Sequence, residues 1–204
     1  MLTSLARRAH RGTRQLSTLL VAEHNGKVVS EATRAAVTAC ANLGPTTVLV
    51  AGDACSEAAE SAAAVPGVDA VALLEQPSLA HGIAEEWTPA VLALQKAGNH
   101  THVVAPATSF AKGLMPRVAA LLDVAQVSDV LEVKDESTFV RPIYAGNALA
   151  TVKSEDPVKV ITVRPTVFDK APESGGSVRR APPSRPPSGF LSPIAPSSIV
   201  HRRR

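Results

Sequence analysis

The sequence predicts an α/β domain, a three-layer mainly parallel sheet with helices on both faces and an antiparallel C-terminal extension. Three observations carry this. Between residues 18 and 123, short β-rich apolar runs alternate with longer stretches of helical period, the pattern of strands joined by crossover helices. Those runs are apolar on both sides, as strands buried in a parallel sheet are. After Asp123 the rhythm changes to strands alone.

The first strand is Thr18 to Glu23 (TLLVAE). Ser30 offers a side-chain cap to a helix from Glu31 to Leu43, in which Ala32, Ala35, Ala36, Ala39 and Cys40 make a small-residue face, and Gly44 ends it. Thr46 to Ala51 is the second strand, Glu57 to Ala64 a weak alanine-rich helix, and Val68 to Leu73 the third strand. A helix over Glu85 to Gln95 spaces Trp87, Val91 and Leu94 for one buried side. Thr101 to Ala105 is a fourth buried strand. Ser109 then opens a helix with Phe110, Leu114, Val118, Leu121 and Leu122 at three- and four-residue steps, kinked at Pro116. This order implies right-handed crossovers. Four strands close the domain: Val127 to Lys134, Thr138 to Tyr144, Ala148 to Lys153 and Val158 to Val163. Ala145-Gly146-Asn147 joins two of them as a tight hairpin, with Gly146 and Asn147 suited to positive φ.

The net charge of +3 divides unevenly along the 204 residues. Residues 1–17 hold four arginines and no acid, and residues 178–204 hold six arginines and no acid. The body between them has 11 basic and 18 acidic residues, a net −7. An acidic body repels phosphate backbones, and six aromatic residues leave little to stack on bases, so a nucleic-acid partner is not expected. No apolar run approaches the ~18 residues of a membrane-spanning helix.

The acid-free, arginine-rich opening reads as an organelle transit peptide over residues 1–17, cleaved near Ser17. From Ser174 to Arg204, Pro, Ser and Arg dominate; Pro182, Pro183, Pro186 and Pro187 deny the segment regular structure, so a disordered tail is expected. Pro183 and Pro186 have P-x-x-P spacing, which leaves a docking-ligand reading open. Gly175-Gly176 reads as a linker into this tail.

Chemistry-bearing motifs are sparse. His24-Asn25-Gly26-Lys27 follows the first strand where a glycine-rich phosphate loop would stand, and no G-x-x-x-x-G-K-[ST] occurs. His100 and His102 flank Thr101 and could share a metal if they face one side of a strand, against the plainer reading of polar residues at a sheet edge. Two cysteines, Cys40 and Cys55, make no framework and read as buried small residues. Glu85 and Glu86 favour a helix N-terminus. Accordingly no catalytic, cofactor-binding or metal-ligating residue is assigned, and an adenine-nucleotide-binding α/β domain remains an alternative, as does an interaction module using the basic tail.

The strings THVVAPATSFAKGLMPRVAALLDVAQVSDVLEV and TFVRPIYAGNALATVKS, with weaker matches at Leu19 to His24, Val158 to Thr166 and Ser174 to Gly176, resemble the first domain of the electron transfer flavoprotein alpha subunit. The resemblance covers about 18–177. It implies a mitochondrial matrix subunit that pairs with a beta subunit around one FAD. Such a heterodimer takes electrons from acyl-CoA and other dehydrogenases and delivers them to a membrane quinone oxidoreductase. The chain is then an electron-carrier subunit, not an enzyme. In that family a second, C-terminal domain holds most of the FAD, and nothing in this chain matches its motifs. The expectation is therefore that this chain is truncated and holds no FAD alone. Arg117, Arg141, Tyr144, Gly146 and Asn147 lie in the best-matching strings. Of these, Arg117 and Arg141 are expected to pair acids that join the kinked helix to the hairpin, and Gly146 to serve the turn.

Overall fold

The computed structural model describes residues 15–176, 178 and 198–201. In chain order the elements are β1 (Thr18–Val21), α1 (Glu31–Ala39), β2 (Thr46–Gly52), α2 (Ser56–Ala64), β3 (Ala70–Glu75), α3 (Ala84–Gly98), β4 (His102–Pro106), α4 (Ser109–Leu122), β5 (Gln126–Val130), β6 (Glu132–Val133), β7 (Thr138–Ile143), β8 (Ala148–Lys153), β9 (Lys159–Val163) and β10 (Ser198–His201). Single 3-10 turns occupy Pro77–Leu79 and Tyr144–Gly146. Six parallel strands form the main sheet in the order β3-β2-β1-β4-β9-β5, and β10 lies antiparallel on the β3 edge. β6-β7-β8 make a separate antiparallel sheet.

The alternation of side chains along β1 builds the three layers. Leu19 and Val21 enter a core with Trp87, Val91 and Leu94 of α3 and Leu114 and Val118 of α4. Leu20 and Ala22 enter the opposite core with Ala36 of α1 and Ala58 and Ala62 of α2. All four residues of β1 are buried, as a central parallel strand demands.

Helix ends follow their capping chemistry. Ser30 accepts the Thr33 N–H at 3.1 Å and so caps α1. α1 stops at Ala39, four residues short of the sequence expectation. At Gly44 (φ +84°) an added Cβ would sit 2.7 Å from the Leu16 carbonyl oxygen, so only glycine fits where the N-terminal segment crosses. α3 runs on to Gly98 and is closed by left-handed Asn99; α4 opens at Ser109 as expected, with Thr108 as its cap, and is closed by left-handed Asp123.

The C-terminal strands depart from the sequence pattern in their partners. Val127–Lys134 is not one strand: Asp129 at φ +60° shifts the register, and β5 and β6 go to different sheets. β9 does not join the extension either. Its buried side chains insert it between β4 and β5, parallel to both. The hairpin takes positive φ at Gly146 as expected and also at Tyr144 and Ala145, while Asn147, expected to share it, is right-handed.

The Gly175-Gly176 pair is seated, not a linker. The Gly176 N–H donates to the Ala64 carbonyl at 2.7 Å, and a Cβ there would meet the Val65 carbonyl at 2.7 Å. In the Pro/Ser/Arg-rich segment, the expectation of a tail without structure does not hold for Ser198–His201, which pairs with Ala70–Leu73. Pro182, Pro183, Pro186 and Pro187, and residues 1–14 of the expected transit peptide, lie outside the described residues.

Candidate functional site

The strand order 3-2-1-4 reverses direction between β1 and β4, and such a switch point opens a crevice outside the carboxyl ends of the strands. Here the crevice is a cavity of about 580 Å³. Its walls are Glu23 to Gly26 after β1, Gly52 and Asp53 at the end of β2, the 79–82 loop, Trp87 and Phe110.

Each wall is fixed by local bonds. The Glu23 N–H donates to Thr33 Oγ1 at 2.8 Å, and the Thr33 hydroxyl and the Ser30 N–H donate to the Glu23 carbonyl. The Glu23 carboxylate accepts from the Thr108 hydroxyl across the switch point, and its burial pushes its pKa up. His24 Nε2–H donates to the Ala51 carbonyl at 2.9 Å and Nδ1 accepts the Gly26 N–H at 3.1 Å, because a carbonyl can only accept; that assigns the tautomer. The Trp87 indole N–H donates to the Leu79 carbonyl at 3.1 Å, and the Phe110 ring meets the indole edge-on at 4.8 Å. The crevice is thereby rich in acceptors, with the His24 Nε2–H and the Trp87 N–H already used inside the wall.

That composition does not fit the pyrophosphate of the FAD that the resemblance implies. Pyrophosphate is held by convergent backbone N–H groups at a helix start or by cations. Here Glu23 and Asp53 face the space, and residues 22–30 intervene between β1 and α1.

A second group lies at the β5 and β9 ends. Arg164 Nε donates to Asp129 Oδ1 at 3.0 Å and its Nη2 pairs the other oxygen, which holds the Asp129 carboxyl below its usual range. Arg141 Nη2 donates to Ser128 Oγ at 3.0 Å. Arg141 thus bonds a hydroxyl and not the expected acid. Arg117 pairs Glu85 at 3.3 Å and joins α4 to α3, not to the hairpin.

Among the remaining sequence candidates, His100 and His102 point to different partners: His100 Nδ1 meets Ser17 Oγ at 2.7 Å, and His102 Nε2 donates to the Glu136 carbonyl at 2.8 Å. Among the described residues no cluster of three His, Cys, Asp or Glu could hold a metal. Burial pushes the Cys40 thiol up to about 12 and the Cys55 thiol up to about 11, so neither is a ready thiolate at neutral pH. Sequence reasoning missed Glu23 and Asp53 as crevice groups. The available signal was an acid within two residues of the end of each of the first two strands.

Among the described residues, the hairpin carries the most exposed large apolar side chains. Tyr144 is 78% and Leu149 65% exposed, and the chain takes three successive left-handed residues to present them. Local strain of this kind concentrates at functional positions.

Comparison with known proteins gives one family. The electron transfer flavoprotein domain matches residues 18–185. The mitochondrial electron transfer flavoprotein subunit alpha of Dictyostelium discoideum is 48% identical over 168 residues, covering 79% of this chain and 47% of that protein. The alpha subunit of Pseudomonas aeruginosa is 47% identical over 163 residues, 79% of this chain and 52% of its own length. A probable mitochondrial alpha subunit of Caenorhabditis elegans is 43% identical over 168 residues, 81% and 51% of the two chains. The chain spans about half the length of the curated relatives it matches. With its α/β sheet, its strained Tyr-Ala-Gly hairpin and this match over most of its length, the chain belongs to the electron transfer flavoprotein family.

Proposed function

We propose that this chain is the alpha-type body of a mitochondrial matrix electron carrier, in which its α/β domain, residues 18–173, docks a beta subunit and leaves FAD to groups outside that domain. The heterodimer would carry electrons from acyl-CoA and other dehydrogenases to a membrane quinone oxidoreductase. The observation that supports the reading most is the alpha-subunit similarity over residues 18–185. The exposed Tyr144 and Leu149 give the domain an apolar docking tip, of the aromatic type that anchors interfaces. The acceptor-rich crevice supports holding the flavin elsewhere, since its carboxylates oppose a pyrophosphate. FAD chemistry, where bound, is hydride and electron transfer; the task of these residues is to present a rigid docking face. Among the described residues no helix is long and apolar enough to cross a membrane, in keeping with a carrier that visits its membrane acceptor.

The test is to co-purify the full chain with a beta subunit and measure the dimer Kd for the parent, Tyr144→Ala and Leu149→Asp. Each variant is expected to weaken the dimer at least tenfold with an unchanged melting temperature. A parent chain that forms no dimer refutes the docking role. A stoichiometric flavin spectrum from this chain alone, after added FAD and desalting, refutes the flavin placement.

A further inference from the structure

We infer that the crevice at the ends of β1 and β2 is a binding site for an uncharged nucleoside, held through its ribose hydroxyls and base and selected against its phosphorylated forms. The inference stands on the crevice alone and is independent of electron transfer. Its volume of about 580 Å³ is within the range of small-molecule sites, roughly 300–1,000 Å³. Its place is outside the carboxyl ends of parallel strands beside a switch point, where α/β sheets bind their ligands.

The chemistry of the walls selects the class. Asp53 follows Gly52, the last residue of β2, and an acid near the end of this strand is placed to accept from a ribose diol. Glu23 adds a second carboxylate at the end of β1. Two of the donors nearest the carboxylates are spent within the wall: the Trp87 N–H on Leu79 and the His24 Nε2–H on Ala51. The Glu23 and Asp53 carboxylates accept from a ligand that brings hydroxyl and amino donors. Phe110 and Trp87 supply an apolar flank for a flat base. Gly82 sits against that flank, an added Cβ being 3.2 Å from Phe110 Cδ2, so the 79–82 loop stays close to the ring without filling the space. A phosphate would enter against two carboxylates and a body of net −7. A metal ion as occupant is disfavoured by the lack, among the described residues, of a three-ligand cluster.

The chain carries one tryptophan, and it lines this crevice, so its fluorescence reports occupancy directly. The experiment titrates the full-length chain with adenosine, AMP and 2′,3′-dideoxyadenosine, reading Trp87 emission and calorimetric heat. Adenosine is expected to bind saturably with a change in emission. AMP and the dideoxy analogue should each bind at least tenfold more weakly. Asp53→Asn, a change at an exposed residue, should weaken adenosine at least fivefold while leaving the thermal melt unchanged. The proposal is overturned if adenosine gives neither heat nor emission change up to 5 mM, if AMP binds as well as adenosine, or if D53N binds like the parent. None of these outcomes bears on whether a beta subunit docks.

Discussion

His102 shows what a single buried polar residue can decide. Fully buried at the start of β4, it needs two partners and has them: Nε2–H donates to the Glu136 carbonyl, and the Thr101 hydroxyl lies 2.9 Å from Nδ1. Burial lowers its pKa, and Lys159 nearby pushes the same way, while Glu136 opposes. The unfolded chain therefore takes up a proton near pH 6.5 before the folded one does, and stability falls as pH drops below that value. The carboxylates lowered by their partners, Asp129 and Asp135, act only as pH falls through their unfolded value near 4. Urea melts between pH 7.5 and pH 5 should show a loss of stability that His102→Phe abolishes. At pH 7.5 that variant should itself be destabilised by about 1–3 kcal/mol, because the Glu136 carbonyl is left unpaired. A parent protein equally stable at pH 7.5 and pH 5 contradicts this. In the sequence His102 was visible only as one of two spaced histidines. Its actual partners come from residues 34 positions away and from its neighbour, and no local pattern encodes the first of them.

At the scale of elements, legibility followed the range of the interactions. The strands and helices up to Leu122 were readable because caps such as Ser30 and periodic faces such as Trp87, Val91 and Leu94 are local. β8 was readable too, its alternating half-exposed pattern marking an antiparallel strand with one wet face. β9 was seen as a strand, but its place between β4 and β5 is a non-local pairing that its apolar sequence alone cannot specify. Positive φ was anticipated at Gly146 and missed at Tyr144 and Ala145, which carry a Cβ into a region that costs roughly 1–2 kcal/mol per residue. Ala145→Gly should relieve that strain and stabilise the domain by about 0.5–1 kcal/mol, seen as a rise of about 2–3 °C in melting temperature. A lower melting temperature would mean that the left-handed turn is not strained. The same substitution loosens the tip, so under the proposed docking role beta-subunit affinity should fall while stability rises.

For the whole molecule, the question is what the basic C-terminal segment does for an acidic body. Residues 178–204 carry +6 and the body −7, so long-range attraction favours bringing the segment back onto the domain. It returns at β3, the edge of the main sheet, where Ser198–His201 pairs with Ala70–Leu73. β3 reads AVALLE, uncharged until Glu75, and a bare apolar edge of that kind is a template for pairing with another chain. Covering it is thus a function the segment can serve without folding into the core. A chain ending at Val178 should keep its fold, since Gly176 still anchors on α2 and both cores lie within residues 19–178. Its β3 amides should exchange with deuterium faster than those of the full chain, and its sedimentation should reveal self-association that rises with concentration. The full chain should show the same faster exchange at 0.5 M salt, where a Debye length of about 4 Å screens the attraction. Equal β3 exchange in the two chains at low salt would mean that the edge is not covered in solution.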